Sequence, residues 1–557
     1  MRDYEEITSF LGTWGPFQKS IFFLLSTSTI PNGYSGMSMV FLADTPPHHC
    51  RSPPINTALG NIGNETVPLE MINGEMALSK CRRYTRVNGS GTAVGNDTES
   101  CLDGWEFSTA RYTSTIVTEW DLVCTNDWKV PFSLTVFFLG VVSGSFIGGH
   151  ISDRYGRKPI FFATMAMQTI FGLLQVASNS WELFCVLGFF FGMGQISNYV
   201  AAFVLGTEIL GKNAREAFST VGVCAFYGLG YAILPLCAYF IRSWRILLLV
   251  LSLPGLLYIP LWWFIPESPR WLLSQGRIKE AEAIIRAAAK MNNVTPPEVI
   301  FKAEDSIQLM QKTDSETAKR SYTYGDLVKT ANIRNITILN VILWFVITIS
   351  YYGLCLNTPN MNGDPYLNCF YSALMDIAAN TGVWLVLKIA RRRVIVSSTL
   401  LSAGVLLLLI LLVPSNLSII SNLLLMVGKF GITAAFSVMY IIVAELYPTV
   451  VRSMGLGISS VSSKIGSTLS PFLPYIGMYN QVLLYILVGA FSLSAGILSL
   501  LLPETRGVEL PEDPSQVQPL NCCCCKRDLP PEALANGQKN INGEASPPHN
   551  CTQSNCC

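Results

Sequence analysis

Charge is scarce in this chain: of 557 residues 13% are charged while 50% are hydrophobic, and the mean hydropathy is +0.39. A water-soluble protein carries about 25% charged residues, so there is too little polar surface here to cover soluble domains, and the chain belongs in lipid. The few charges nearly cancel, at a net +1. No basic stripe or nucleic-acid motif interrupts the apolar runs, which argues against nucleic acid as a partner. Histidine is rare, with four in all, leaving a metal hydrolase little material. Walker A, HExxH and GxSxG patterns are also missing, so an enzyme is the least supported class and no cofactor is called for. No cleavable leader is recognisable: Met1 to Lys19 is mixed polar sequence running straight into a stretch long enough to span, which is expected to stay attached as a helix.

What is present is a series of apolar runs of about 20 residues, the length that crosses a hydrocarbon core. They fall at 20–42, 131–150, 160–178, 183–207, 217–240 and 246–265, then at 336–357, 367–387, 394–413, 419–443, 453–476 and 482–502. The expected fold is an all-α membrane protein of twelve transmembrane helices, in two six-helix halves related by pseudo-two-fold symmetry. The parts are a cytosolic N-terminus (1–19), an N-terminal half (20–265) with a large external loop (43–130), a cytosolic connector (266–335), a C-terminal half (336–502) and a tail (503–557).

Orientation follows from Lys and Arg in the short loops. Arg154, Arg157 and Lys158 follow helix 2, Lys212 and Arg215 follow helix 4, and Lys388 and Arg391 to Arg393 follow helix 8, whereas the loops after helices 3, 7, 9 and 11 have neither residue. Both termini are therefore expected in the cytosol, with the 43–130 loop outside. That loop carries Cys50, Cys81, Cys101 and Cys124 and glycosylation sequons at Asn64, Asn88 and Asn96. An even cysteine count in an oxidising compartment predicts two disulfides, with the pairing open. In the connector, Arg277 to Asn292 alternates charge with Ala and Ile at helical spacing and is expected to lie on the inner surface of the bundle. The tail is rich in Pro, Asn and Gly and reads as disordered. Its Cys522, Cys523, Cys524 and Cys525 precede Lys526 and Arg527, a pattern that favours S-acylation in a reducing compartment.

An offset of 237 residues lays Glu208 on Glu445, Arg215 on Arg452, Pro266 on Pro503 and Glu267 on Glu504, and the same shift lays the basic Arg154 on Arg391. Four coincidences at one offset indicate parallel repeats related by an axis along the membrane normal. These charges, with Asp153 and Arg157, sit at helix ends on the inner face. There acid–base pairs can latch the halves in one state and release them in another, so they are assigned to gating.

The stretch Gly149-His-Ile-Ser-Asp153-Arg154-Tyr-Gly156-Arg157-Lys158 resembles the loop motif of the major facilitator superfamily, and Pro266-Glu267-Ser-Pro-Arg-Trp271 resembles its organic-ion branch, the solute carrier 22 family. Within that branch, Trp14-Gly-Pro-Phe-Gln18, Ser100-Cys-Leu-Asp-Gly-Trp-Glu-Phe107, Gly192-Met-Gly-Gln-Ile-Ser-Asn-Tyr199 and Ala444-Glu-Leu-Tyr-Pro448 are similar to the organic cation/carnitine transporters, over residues 1 to about 510. The resemblance implies plasma-membrane uptake of zwitterions bearing a quaternary ammonium and a carboxylate, with a sodium ion as the coupling ion, and handling of some simple cations. The lipid bilayer and these small molecules are then the partners. A polyspecific organic cation or ergothioneine transporter is the nearest other reading, and a membrane receptor or scaffold that binds without transport is the alternative of another class.

Polar residues collect at the centres of the runs: Asn32, then Gln195, Asn198 and Tyr199, then Asp376, Lys429 and Lys464. A charge at that depth costs at least about 2.5 kcal/mol, so the last three must face protein or a wet cavity, or neutralise one another. The resemblance places a basic, carboxylate-binding residue at Lys464, where the carnitine transporters have arginine; lysine keeps the charge and loses the bidentate fork. A quaternary ammonium has no N–H to donate and is best held by aromatic faces plus a carboxylate. Asp376 with Trp344, Tyr351, Tyr227, Phe370 and Tyr371 is the cage expected for it. Asn32, Gln195, Asn198 and Tyr199 offer oxygen ligands for sodium, or plain hydrogen bonds between helices.

Overall fold

The computed structural model describes residues 7–51, 67–72, 75–86, 93–298, 300–301, 325–448, 451–506 and 520. Asn64, Asn88 and Cys522 to Cys525 lie outside them, as does the side chain of Asn96, whose backbone belongs to the strand Ala93–Ser100. Met1–Leu520 is one compact unit.

Twelve spans are present among the described residues. Spans 2, 3 and 4 are Lys129–Tyr155, Arg157–Val176 and Trp181–Ile209. Span 5 runs through Lys212–Ala217, a π-helical turn Phe218–Gly222 and Val223–Phe240. Span 6 is Trp244–Ser252 continued as a 3-10 helix, Leu253–Trp263. Spans 7 to 10 are Ala331–Leu356, Pro365–Val386, Arg392–Leu409 and Ser418–Leu446, and span 12 is Gln481–Ser499. These ten are long and apolar enough to cross a membrane.

The remaining two spans are broken. Span 1 comes in three pieces, Pro16–Thr27, Thr29–Met37 and Met39–Leu42. Pro31 has no N–H to offer the carbonyl of Thr27 four residues back, and the Tyr258 hydroxyl of span 6 donates to that oxygen instead, at 2.8 Å. Span 11 is the Ser-rich Arg452–Leu469 followed, after Ser470 and Pro471, by Phe472–Tyr479. Several starts are fixed by caps: the Asp364 carboxylate accepts from Tyr366 N–H ahead of span 8, and the Ser180 hydroxyl accepts from Leu183 N–H ahead of span 4.

The repeat is visible in the packing. Span 4 packs on 2 and 3 and span 5 on 1; correspondingly span 10 packs on 8 and 9 and span 11 on 7. The halves meet through spans 5 with 8 and 2 with 11, a pairing that maps onto itself when the halves are exchanged. Spans 1 and 5 approach at glycines: a Cβ on Gly33 would lie 2.1 Å from the Tyr227 carbonyl oxygen, and one on Gly230 2.2 Å from that of Ile30.

One end of the bundle carries the cysteine-rich loop (the loop face) and the other the short basic loops (the basic face). Helix is confined, among the loop's described residues, to the short turns Ile116–Glu119 and Cys124–Asn126 and the start of span 2. Among its described residues the loop holds three two-stranded antiparallel ribbons, including His48–Cys50 with Trp105–Phe107, and two disulfides, Cys50–Cys101 and Cys81–Cys124. At the basic face, Ile278–Met291 buries Ala281, Ile285, Ala288 and Ala289, as its helical spacing predicts. Asn292, just beyond it, grips the start of span 1. Its Oδ1 accepts from Phe17 N–H at 2.9 Å and its Nδ2 donates to the Leu11 carbonyl at 3.0 Å.

Candidate substrate site and gates

Span 10 presents Lys429, Thr433, Phe436 and Tyr440 at intervals of four, three and four, which places them on one face. That face meets Asp376 of span 8 and Tyr351 of span 7. The Lys429 ammonium, fully buried, lies 3.0 Å from Asp376 Oδ2 and donates to the Ser372 carbonyl at 2.8 Å. Tyr351 donates to Asp376 Oδ2 at 3.0 Å and Thr433 to Oδ1 at 2.9 Å. Both carboxylate oxygens are thus engaged by the protein. Asp376 is the partner of Lys429 and is not free for a ligand cation.

The aromatic residues form a connected wall beside this pair. The Trp344 ring lies 4.5 Å from Tyr440 and 5.4 Å from Phe436, Phe436 stacks on Tyr351 at 5.5 Å, and Tyr351 meets Tyr352 at 5.1 Å. Tyr352 in turn touches Phe138 of span 2, in the other half. Tyr440 is half exposed and supplies the wall's open face. Phe370 and Tyr371 do not join it: they sit on the opposite side of span 8, 37% and 48% exposed, and their rings meet each other. The Tyr227 ring lies 6.1 Å from Tyr199 and makes no ring contact with the wall among the described residues, but it stands within electrostatic reach of Asp376, Tyr351 and Tyr352.

Lys464 is half-buried on span 11, and its ammonium has no hydrogen-bond or ion-pair partner among the described residues. Its neighbour Ser463 accepts from Thr348 at 3.1 Å, between Trp344 and Tyr351 on span 7, and Ser462 donates to the Val341 carbonyl at 2.6 Å. Lys464 is therefore fixed at the level of the aromatic wall.

Asn32, Gln195 and Asn198 are buried and bonded to one another across spans 1 and 4. Asn32 Nδ2 donates to Asn198 Oδ1 at 3.1 Å, Gln195 Nε2 to the Asn32 carbonyl at 2.7 Å and Asn198 Nδ2 to the Phe161 carbonyl of span 3 at 3.0 Å. These bonds use the oxygen of Asn198 and leave Oδ1 of Asn32 buried without a hydrogen-bond partner.

At the basic face the residues expected to gate assemble within each half. Arg157, the first residue of span 3, pairs with Asp153 at 2.9 Å and with Glu208 at 3.1 Å, and Glu267 Oε1 accepts from the backbone N–H of Arg157 at 3.0 Å. Gly156 precedes it at φ +107°, and a Cβ there would meet Glu267 Oε2 at 2.6 Å, so both backbone and space require glycine. In the second half Arg392, the first residue of span 9, pairs with Glu445, and Glu504 Oε1 accepts from its N–H at 3.0 Å. The counterpart of Arg157 is thus Arg392, at an offset of 235. Arg154 and Arg391, which the 237 offset matched, are exposed and outside these clusters. Arg215 donates to the carbonyls of Thr207 and Leu210, and Arg452 to that of Tyr447, each closing the end of the preceding helix.

Among the described residues, several hydrogen bonds cross between the halves from the midplane to the loop face. Tyr231 of span 5 meets Ser372 at 3.0 Å, Thr135 of span 2 donates to the Thr468 carbonyl at 3.1 Å, and Tyr475 and Tyr479 of span 11 both donate to Asp127 ahead of span 2. The Tyr366 ring stacks on Phe41 at 5.4 Å. The bundle is closed at the loop face.

Sequence reasoning missed Tyr231, Ser372, Thr433, Phe436 and Tyr440. The signal was available in span 10, whose polar and aromatic residues follow Lys429 at helical spacing. Tyr231 and Ser372 carried none, because only tertiary packing brings them to the ammonium.

The sugar (and other) transporter family matches residues 89–514. The human organic cation/carnitine transporter 2 is 52% identical over 93% of this chain and 94% of its own, and mouse solute carrier family 22 member 4 is 50% identical over 93% and 95%. Among solved structures, a D-xylose-proton symporter superposes with a TM-score of 0.57 at 11% identity, over 88% of this chain and 99% of that one, and supports the fold alone. With a major facilitator fold, two similar halves and these relatives, the chain is a membrane transporter, not an enzyme, and belongs to the organic cation/carnitine transporters of solute carrier family 22.

Proposed function

We propose that this transporter takes up carnitine-like zwitterions across the plasma membrane by alternating access, coupled to sodium, with the loop face outside and both termini in the cytosol. The observation that carries the substrate reading is Lys464, an ammonium with no partner among the described residues, held level with an aromatic wall. An unpaired cation at membrane depth is costly, and a substrate carboxylate compensates it. The trimethylammonium end then lies against Trp344, Phe436 and Tyr440, each ring contributing about 0.5 to 2 kcal/mol when desolvated. Asp376 takes no direct part, because Lys429 already neutralises it.

A net-neutral zwitterion gains nothing from the membrane potential, whereas one accompanying sodium adds about 2.3 kcal/mol per 100 mV. The unpartnered Oδ1 of Asn32 is the oxygen that supports a sodium site among spans 1 and 4. Uptake of radiolabelled carnitine into expressing cells, with sodium and with choline-free sodium replacement, tests both parts. The reading expects saturable uptake that falls when sodium is withdrawn, and an absence of carnitine uptake by protein present at the surface overturns it.

A further inference from the structure

The surroundings of Lys429 have the chemistry of a ligand site. Its ammonium lies 5.2 Å from the ring centroid of Tyr231 and 5.7 Å from that of Tyr351, with Asp376 Oδ2 at 3.0 Å. Two aromatic faces and a carboxylate around a positive nitrogen are what an organic ammonium needs. The cage joins the aromatic wall directly, since Tyr351 belongs to both. It is also assembled from both halves, with Tyr231 on span 5 and the rest on spans 7, 8 and 10.

We infer that Lys429 is a tethered cation that fills a second ammonium subsite of the transporter, and that it determines specificity by keeping cations without a carboxylate out of it. The inference rests on the substrate reading above and adds a residue to it. With Lys429 in place, the core holds two ammonium groups and one carboxylate, a net positive charge that a zwitterion's carboxylate offsets and a simple cation cannot. Removing the Lys429 charge vacates the cage, frees Asp376 and brings the core to neutrality.

The test is binding of tetramethylammonium to purified protein, followed by the ligand's effect on thermal unfolding. Lys429→Met is expected to bind it at least about tenfold more tightly than the parent protein, through a carboxylate and two rings that were occupied before. Removing one partner of a buried pair can also unfold the bundle, so a second variant is measured. Lys429→Met with Asp376→Asn leaves no charge inside the cage; it retains the rings alone and is expected to gain less than the single variant but still exceed the parent. Lys429→Arg is expected to stay at the parent's level. If the double variant folds and binds tetramethylammonium no better than the parent, Lys429 plugs no site and the inference is overturned. Equal gains in the single and double variants would remove Asp376 from the cage and overturn it as stated. The readout uses neither carnitine nor sodium, so its failure leaves the uptake result above standing.

Discussion

Arg157 and Arg392 are structural counterparts: each opens a helix, each has its backbone N–H held by a carboxylate from the end of its own half, Glu267 or Glu504, and each pairs with a glutamate at the end of a long helix, Glu208 or Glu445. In this conformation, closed at the loop face, the pairs tie helices of one half together. They stand at the basic face, away from Lys464 and the rings. Glu208→Gln and Glu445→Gln are therefore expected to lower the maximal uptake rate several-fold while changing the apparent substrate affinity little. A dominant change in affinity would place these residues at the binding site instead.

The loop face is held shut on one side by two tyrosines from one half and one carboxylate from the other. Tyr475→Phe with Tyr479→Phe removes both donors to Asp127 and leaves the rings in place. The double variant should favour opening at that face, read as labelling of a cysteine at position 135 by an impermeant thiol reagent at least about threefold faster than in the parent background. Unchanged labelling would make the tyrosines packing residues.

Gly33 and Gly230 bring spans 1 and 5 into backbone contact, with no room for a methyl group on either. Alanine at either position should destabilise the bundle by about 1 to 3 kcal/mol, seen as a lower Tm of the detergent-solubilised protein. Gly149 on span 2 has no atom within 4 Å of its would-be Cβ, and Gly149→Ala serves as the neutral comparison.

The cysteine run 522–525 beside Lys526 and Arg527 is expected to carry thioester-linked acyl chains that, with the basic residues, anchor the tail to a membrane surface. Hydroxylamine treatment of the purified full chain followed by mass measurement checks this. A tail with free thiols throughout contradicts it.

Twelve spans and two repeated halves were legible because hydrophobic runs of membrane-crossing length and a fixed offset are one-dimensional signals. The broken geometry of spans 1 and 11 was less so: Pro31 marked the first break, but the hydroxyl that satisfies it comes from Tyr258, 231 positions along the chain. The midplane charges were legible as residues and their partners were not. Asp376 and Lys429 both announced themselves by depth, yet only packing of span 8 on span 10 shows that they pair and that Lys464 stands apart. The offset misled by two residues at the basic loops, because Arg157 and Glu208 stand 51 residues apart whereas Arg392 and Glu445 stand 53 apart, so the register changes between the start of span 3 or 9 and the end of span 4 or 10. Phe370 and Tyr371 were expected in the cage because their helix lines the cavity, and helical phase turns both away from Asp376 on that same helix.

The most direct measurement of the central claim is uptake by Lys464→Ala, with surface expression determined in parallel, of carnitine and of tetraethylammonium. Loss of a desolvated, charge-assisted contact costs about 2 to 5 kcal/mol, so carnitine uptake should nearly vanish at ordinary concentrations. Tetraethylammonium, which has no carboxylate, should fall less or rise, and Lys464→Arg should keep or improve carnitine uptake by supplying the bidentate fork. Equal depression of both substrates in a variant that reaches the surface normally would make Lys464 a structural charge and contradict the zwitterion assignment.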